Sequence, residues 1–199
     1  MKLFAFSDVH CDFQVVEKLI EKAKECEIVI CCGDLSRFGE CLDEIAEKLA
    51  KGIEKKFLIV PGNNETPEDI ERICEKFGWI NLHCRKIKVN SFWFVGCGGG
   101  LKGGFATPFE VDENYFKECL EGFRGVENLI LITHTPPINT VDKTLLGSRI
   151  GSKAIRKFVE EEQPLLCLCG HVHERAGDEE RIGRTRIINV GKEGRLIFL

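Results

Sequence analysis

His10, His134, His171 and His173 each fall directly after a short apolar run rich in β-branched or aromatic residues. Such runs read as strands, so these imidazoles would stand at strand ends, the edge at which α/β proteins gather their sites. Oxygen donors occupy matching positions: Asp8 two residues before His10, Asp34 after Gly33, and Asn63 after Gly62. Carboxylate, imidazole and amide oxygen together suit a divalent metal of intermediate hardness. Taken singly, an Asp-x-His pair, a Gly-Asp or a Gly-Asn after a strand is ordinary turn or cap chemistry. Five separate strand ends that all offer ligands are not explained by independent capping.

The elements that must position these residues can be read from periodicity. Candidate strands are Leu3 to Phe6, Ile28 to Cys32, Phe57 to Val60, Ile87 to Val89, Phe92 to Val95, Leu129 to Thr133, Leu165 to Cys169, Arg186 to Val190 and Leu196 to Leu199. Helical spacing places Phe13, Val16, Leu19, Ile20 and Ala23 on one face after an Asp12 N-cap, and Leu42, Ile45, Ala46 and Leu49 on another. A third helix is the best marked. Thr66 caps it, Pro67 takes the first position, Asp69 completes a capping box, and Gly78 stops it. Further helices are expected after Asp112 and Ser152, the latter ending before Pro164. With a hairpin turning at Asn90-Ser91, the pattern predicts an α/β fold with mixed sheets.

The chain has 199 residues, 43% apolar and 30% charged, with 28 Lys and Arg against 32 Asp and Glu. A chain of this size buries about 70% of its unfolded surface, and no linker or repeat divides it, so one domain over residues 1–199 is expected. Interspersed charges and a net charge of −4 argue against bulk nucleic-acid binding. No apolar run approaches the roughly 18 residues that span a bilayer, so neither membrane insertion nor secretion is expected. The eleven cysteines are dilute and mostly inside strand or helix patterns, which reads as core in a reducing cytoplasm. A Lys/Glu-rich composition is also found in thermophiles, whose intracellular proteins carry disulfides, so pairing stays open.

In order, the chain contains Asp8-Val9-His10, Gly33-Asp34, Gly62-Asn63-Asn64-Glu65, His134, and Gly170-His171-Val172-His173. This series resembles the calcineurin-like metallophosphoesterases, whose blocks are D-x-H, G-D, G-N-H-D/E, a later H, and G-H-x-H, and it looks closest to their small single-domain prokaryotic branch. The resemblance implies a four-layer α/β/β/α sandwich of two mixed sheets flanked by helices. It implies two divalent metal ions, one held by Asp8, His10, Asp34 and His173, the other by Asp34, Asn63, His134 and His171. Manganese is the ion the resemblance favours, and Fe, Zn, Co or Ni would also suit the donors. The implied reaction is hydrolysis of a small phosphoester, a diester before a monoester, by in-line attack of a metal-bound hydroxide. The sequence offers no Ser or Cys nucleophile beside a His base that would suggest a covalent route.

One position departs from that series. Where the family has a histidine that touches the scissile phosphate, this chain has Asn64, which can donate a hydrogen bond but no proton at neutral pH. Asn64 and Asp34 are therefore the residues to which a catalytic role is carried over, with the acid part of that role in question. Rival readings are an inactive scaffold of the same fold and a protein that binds phosphorylated ligands without turnover. His83, outside the series, reads as structural. Gly98 to Gly103 matches G-x-G-x-x-G, but no helix pattern follows, so the Gly-rich stretch from Gly96 to Gly104 reads as a loop and not a dinucleotide site. Lys102, Lys143 and Arg149 could help neutralise a substrate phosphate but read first as solvated loop charges, and Cys31-Cys32 and Cys167-Leu168-Cys169 read as strand core.

Overall fold

The computed structural model describes residues 1–103 and 106–199. Strand β1 (Lys2–Phe6) leads into helix α1 (Phe13–Ala23), β2 (Ile28–Cys31) into α2 (Leu42–Gly52), and β3 (Lys56–Ile59) into α3 (Pro67–Phe77). A short β4 (Ile80–Asn81) precedes the hairpin of β5 (Arg85–Val89) and β6 (Phe92–Cys97). Next come β7 (Gly100–Leu101), β8 (Glu110–Val111) and α4 (Glu113–Glu121), then β9 (Leu129–Thr133), α5 (Lys153–Glu162) and β10 (Leu166–Cys169). Strands β11 (Glu179–Ile182), β12 (Thr185–Asn189) and β13 (Arg195–Phe198) follow.

Two sheets result. One has the order β13-β1-β2-β3-β4, the other β11-β12-β10-β9-β6-β5. Within the first, β1 to β4 run parallel and β13 returns antiparallel beside β1. In the second, β6, β9, β10 and β12 are parallel, with antiparallel β5 and β11 at the edges.

The period-two alternation of each strand decides the layers. From β1, Leu3 and Ala5 face the other sheet and pack with Phe94, Ile130, Leu168 and Ile188, while Phe4 and Phe6 face α1, α2 and α3. From the second sheet, Val95, Leu131 and Cys167 turn outward onto Phe116 and Leu120 of α4 and Ile155 and Phe158 of α5. The fold is thus helices, sheet, sheet, helices, the α/β/β/α sandwich of two mixed sheets. No helix among the described residues is long and apolar enough to cross a membrane.

Helix starts agree with the sequence. Asp12, Thr66, Asp112 and Ser152 each cap a helix through the side chain, and Thr66 with Asp69 forms the full capping box. Helix α3 ends on Gly78 at φ +70°, a left-handed position that glycine takes without strain. Four short strands, β4, β7, β8 and β11, escape a periodic reading. The Gly-rich stretch is also corrected: Gly96 and Cys97 complete β6, and Gly100 begins β7. A Cβ at Gly96 would strike Val60 and Leu82, so its glycine serves close sheet packing and not a loop. Among the described residues no helix begins there. The loop reading for Gly104 and Phe105 falls outside the described residues.

The cysteines divide. Cys26, Cys31, Cys32, Cys74, Cys97, Cys167 and Cys169 are free and buried, as core residues should be. Cys11 is bonded to Cys41 and Cys84 to Cys119, pairs that depend on distances a sequence does not contain.

Candidate metal centre

The parallel strands β1, β2, β9 and β10 end on one side of the molecule, and the loops that follow them carry the chemistry. Asp8, His10, Asp34 and His171 all take left-handed backbone conformations, with φ of 58°, 46°, 59° and 70°. Non-glycine residues seldom do so, and clusters of such residues are stored strain at functional sites. The loops also approach too closely for side chains at two glycines. A Cβ on Gly62 would collide with the Asp34 carboxylate, and one on Gly170 with Ser7 and Asp8.

Hydrogen bonds to backbone carbonyls fix two of the imidazoles. His10 Nδ1 lies 3.1 Å from the Ser36 oxygen and His134 Nδ1 lies 2.8 Å from the Cys32 oxygen. A carbonyl only accepts, so each Nδ1 carries the proton and each Nε2 presents a lone pair. Those lone pairs face other acceptors. His134 Nε2 is 2.9 Å from Asn63 Oδ1 and 3.5 Å from Asp34 Oδ2. His10 Nε2 is 3.6 Å from the same Asp34 oxygen and 3.0 Å from His173 Nε2, which is itself 3.6 Å from Asp8 Oδ1. His10 and His134 lone pairs that face Asp34 Oδ2 and Asn63 Oδ1, with the Asp8 carboxylate beside them, make an arrangement that cations satisfy. The residues present therefore fit divalent metal.

All eight residues picked out in the sequence come together here. His10, Asp34, Asn63, Asn64, His171 and His173 line a cleft of about 480 Å³, with Asp8 and His134 buried at its base. Asp34 lies between His10 and His134, the place a shared ligand would take. His171 donates its backbone N–H to both Asp8 oxygens at 3.1 Å, and its ring packs edge-on against His134, 5.0 Å between centroids.

Asn64 is less free than its pocket position suggests. Its backbone N–H donates to Asp34 Oδ1 at 2.9 Å, its Nδ2 to Asp34 Oδ2 at 2.7 Å, and its Oδ1 accepts from Phe38 N–H at 3.1 Å. Every polar atom except the backbone carbonyl is thus committed to holding Asp34 and the Phe38 turn, and Ser36 Oγ meets that carbonyl at 3.3 Å.

Electrostatics follow from burial and these neighbours. Burial pushes the Asp8 carboxyl up, but the hydrogen bond with His173, the nearby His134 and the Ser7 hydroxyl outweigh it and hold Asp8 well below the carboxylate range. Contact with Asp8 raises His173, while burial lowers His10 and takes His171 down to about 4. His171 and His10 are thereby kept neutral, the form that ligates metal. Glu65, fully buried beside Asp34, is raised to about 7 by burial and by that neighbouring charge.

Glu65 is a residue whose part the sequence did not reveal. It accepts from the backbone N–H groups of Asp34, Ser36 and Gly62 and from the Ser36 hydroxyl, so one carboxylate clamps two ligand loops. Asn189 does similar work, donating to the Gly170 and Val172 carbonyls. Phe38 lines the cleft and was not legible as a site residue, and Arg149 and Lys102, read first as solvated loop charges, line it too. His83 is structural, its Nδ1 accepting from Gly98 N–H at 3.0 Å and its Nε2 2.7 Å from the Tyr115 hydroxyl.

Two sheets in an α/β/β/α sandwich with paired Asp, His and Asn donors at their strand ends define a metallophosphoesterase architecture. The chain belongs to the calcineurin-like phosphoesterases, whose family profile matches residues 1–175. It is 31% identical to an uncharacterised protein of Methanocaldococcus jannaschii, over all of this chain and 91% of that one. It is 24% identical to a probable glycerophosphodiester phosphodiesterase of Arcobacter nitrofigilis, over 74% of this chain and 56% of the relative. A crystal structure from Thermus thermophilus superposes with a TM-score of 0.74 at 16% identity, over 96% of this chain and 90% of that one.

Proposed function

We propose that this chain hydrolyses phosphodiesters with two divalent cations, manganese first among them. The observation that carries the reading is the convergence of the His10 and His134 lone pairs on Asp34 Oδ2, at 3.6 and 3.5 Å. Asp8 and His173 complete one donor set, and Asn63 and His171 the other. Two bound cations supply a water acidic enough to attack at neutral pH and positive charge for the phosphoryl oxygens.

The protein's own residues do the rest. Asp34 is held in place by Asn64 through two hydrogen bonds and so positions both donor sets. Ser36 and Cys32 carbonyls orient the imidazoles. Asn64 brings no transferable proton, and its side-chain amide already donates to Asp34, so leaving-group protonation is left to solvent. That favours diesters whose leaving groups depart as anions. The likeness to the probable glycerophosphodiester phosphodiesterase supports diesters over monoesters.

The test is hydrolysis of bis-p-nitrophenyl phosphate by metal-stripped protein as Mn²⁺ is added back, with Asp34→Ala beside it. Turnover that rises with metal and is lost in the variant is the expected result. Two bound ions without turnover, across the divalent series, would leave the scaffold or ligand-binding reading in its place.

A further inference from the structure

Phe38 is doubly out of place for a phenylalanine. Its side chain is 60% exposed, and its backbone sits at φ +50°, a conformation that bulky residues avoid. The turn that presents it is nonetheless fixed. Phe38 N–H donates to Asn64 Oδ1, Gly39 N–H to Ser36 Oγ at 3.2 Å, and Glu40 N–H to the Arg37 oxygen at 2.9 Å. The bond between Cys41 and Cys11 anchors the end of the turn to the loop that carries His10. A strained but fixed turn therefore presents an aromatic ring in the same cleft as the metal donors.

The cleft's other walls define what would meet that ring. Leu101 and Ile150 add apolar surface, and Arg149 and Lys102 add positive charge. Arg149 is itself set in place, its guanidinium 2.6 Å from Asp142, a fully buried carboxylate that also accepts from Thr140 and Gly151 N–H. A ligand suited to this cleft has a phosphate for the metals and cations and a flat apolar face for the ring. A nucleobase on a ribose phosphate has both, since any base offers a π-face for stacking.

We propose that Phe38 is the stacking platform for the base of a nucleotide phosphoester, and that nucleotide diesters are the substrate class of this site. The inference rests on the phosphoesterase reading. Its readout is the ratio of kcat/KM for two p-nitrophenyl diesters, thymidine 5′-phosphate and its abasic 1,2-dideoxyribose analogue, which share one leaving group. In both, water attacks phosphorus, the P–O bond to the aryl group breaks, and p-nitrophenolate leaves with the electron pair.

The Mn²⁺-loaded protein is expected to prefer the thymidine ester, and Phe38→Ala to shrink that preference about 5- to 100-fold, mainly through KM. Phe38→Trp should keep it. No preference in the parent protein, or a ratio unchanged in Phe38→Ala, overturns the inference while leaving the phosphoesterase reading intact. If neither ester turns over, that reading fails, and binding of thymidine 5′-monophosphate against abasic 5-phosphate to the metal-loaded chain decides the stacking role alone. Tighter binding of the nucleotide that disappears in Phe38→Ala upholds it, and equal binding refutes it.

Discussion

Asn64 ties the shape of the site to the chemistry proposed for it. Its side chain donates to Asp34 and accepts from the Phe38 N–H, and it carries no acidic proton. Asn64→His should restore a proton donor, so the rate on alkyl diesters should rise relative to aryl diesters by about 10- to 100-fold. An unchanged alkyl-to-aryl ratio would mean that protonation of the leaving group is not what this position limits. Away from the site, His83 gives a titration with a definite sign. Burial first, and Arg85 second, lower it from 6.5 to about 4. The unfolded chain therefore binds more protons across that window, and the stabilising contribution, full above pH 6.5, is lost as pH falls toward 4. Urea unfolding of the wild type should lose up to about 3 kcal/mol more than His83→Gln over this interval. Parallel curves would place the neutral imidazole outside the stability balance. The Asp, His and Asn residues that converge on the cleft were legible in the sequence because each follows an apolar run at a strand end. Phe38 and Glu65 were not, since a loop residue acquires its role from partners 26 to 31 positions away, and no periodicity records these.

At the scale of elements, what could be read was whatever depends on local chemistry. The capping box of α3 is one case, and Thr66→Ala should cost about 1 kcal/mol, seen as a fall in Tm of about 2 to 4 °C for a chain of this size. A smaller fall would mean that Asp69 caps the helix by itself. Strands β7 and β8 are the opposite case. Two residues each, they exist because Gly100 and Leu101 pair with Glu110 and Val111, and neither segment has a strand pattern of its own. The Cys11–Cys41 bond is likewise set by tertiary distance. It joins the loop of Asp8 and His10 to the start of α2, next to the loop of Asp34. Reduction by a dithiol should lower Tm, and the chain should then surrender metal more readily to a competing chelator. A lower Tm with unchanged metal retention would assign the bond to restraint of the unfolded chain alone.

For the whole molecule, the two sheets meet through apolar side chains such as Leu3, Ile30, Leu58, Ile132 and Leu168, and the donors come from both sides of that seam. Asp8, His10, Asp34 and Asn63 follow strands of one sheet, and His134, His171 and His173 follow strands of the other. Metal at 100 times its dissociation constant should stabilise the fold by about 2.7 kcal/mol, read as a Tm that climbs with Mn²⁺ concentration. A Tm indifferent to metal would contradict binding across the seam. Apolar layers resist separation better than they resist sliding, because contact area is nearly conserved when one sheet shifts over the other. A pair of ions at one end would act as a rivet against that shear. Amide hydrogen exchange at the ends of β1, β2, β9 and β10 would then slow together on loading, while the far ends of the same strands kept their own pace.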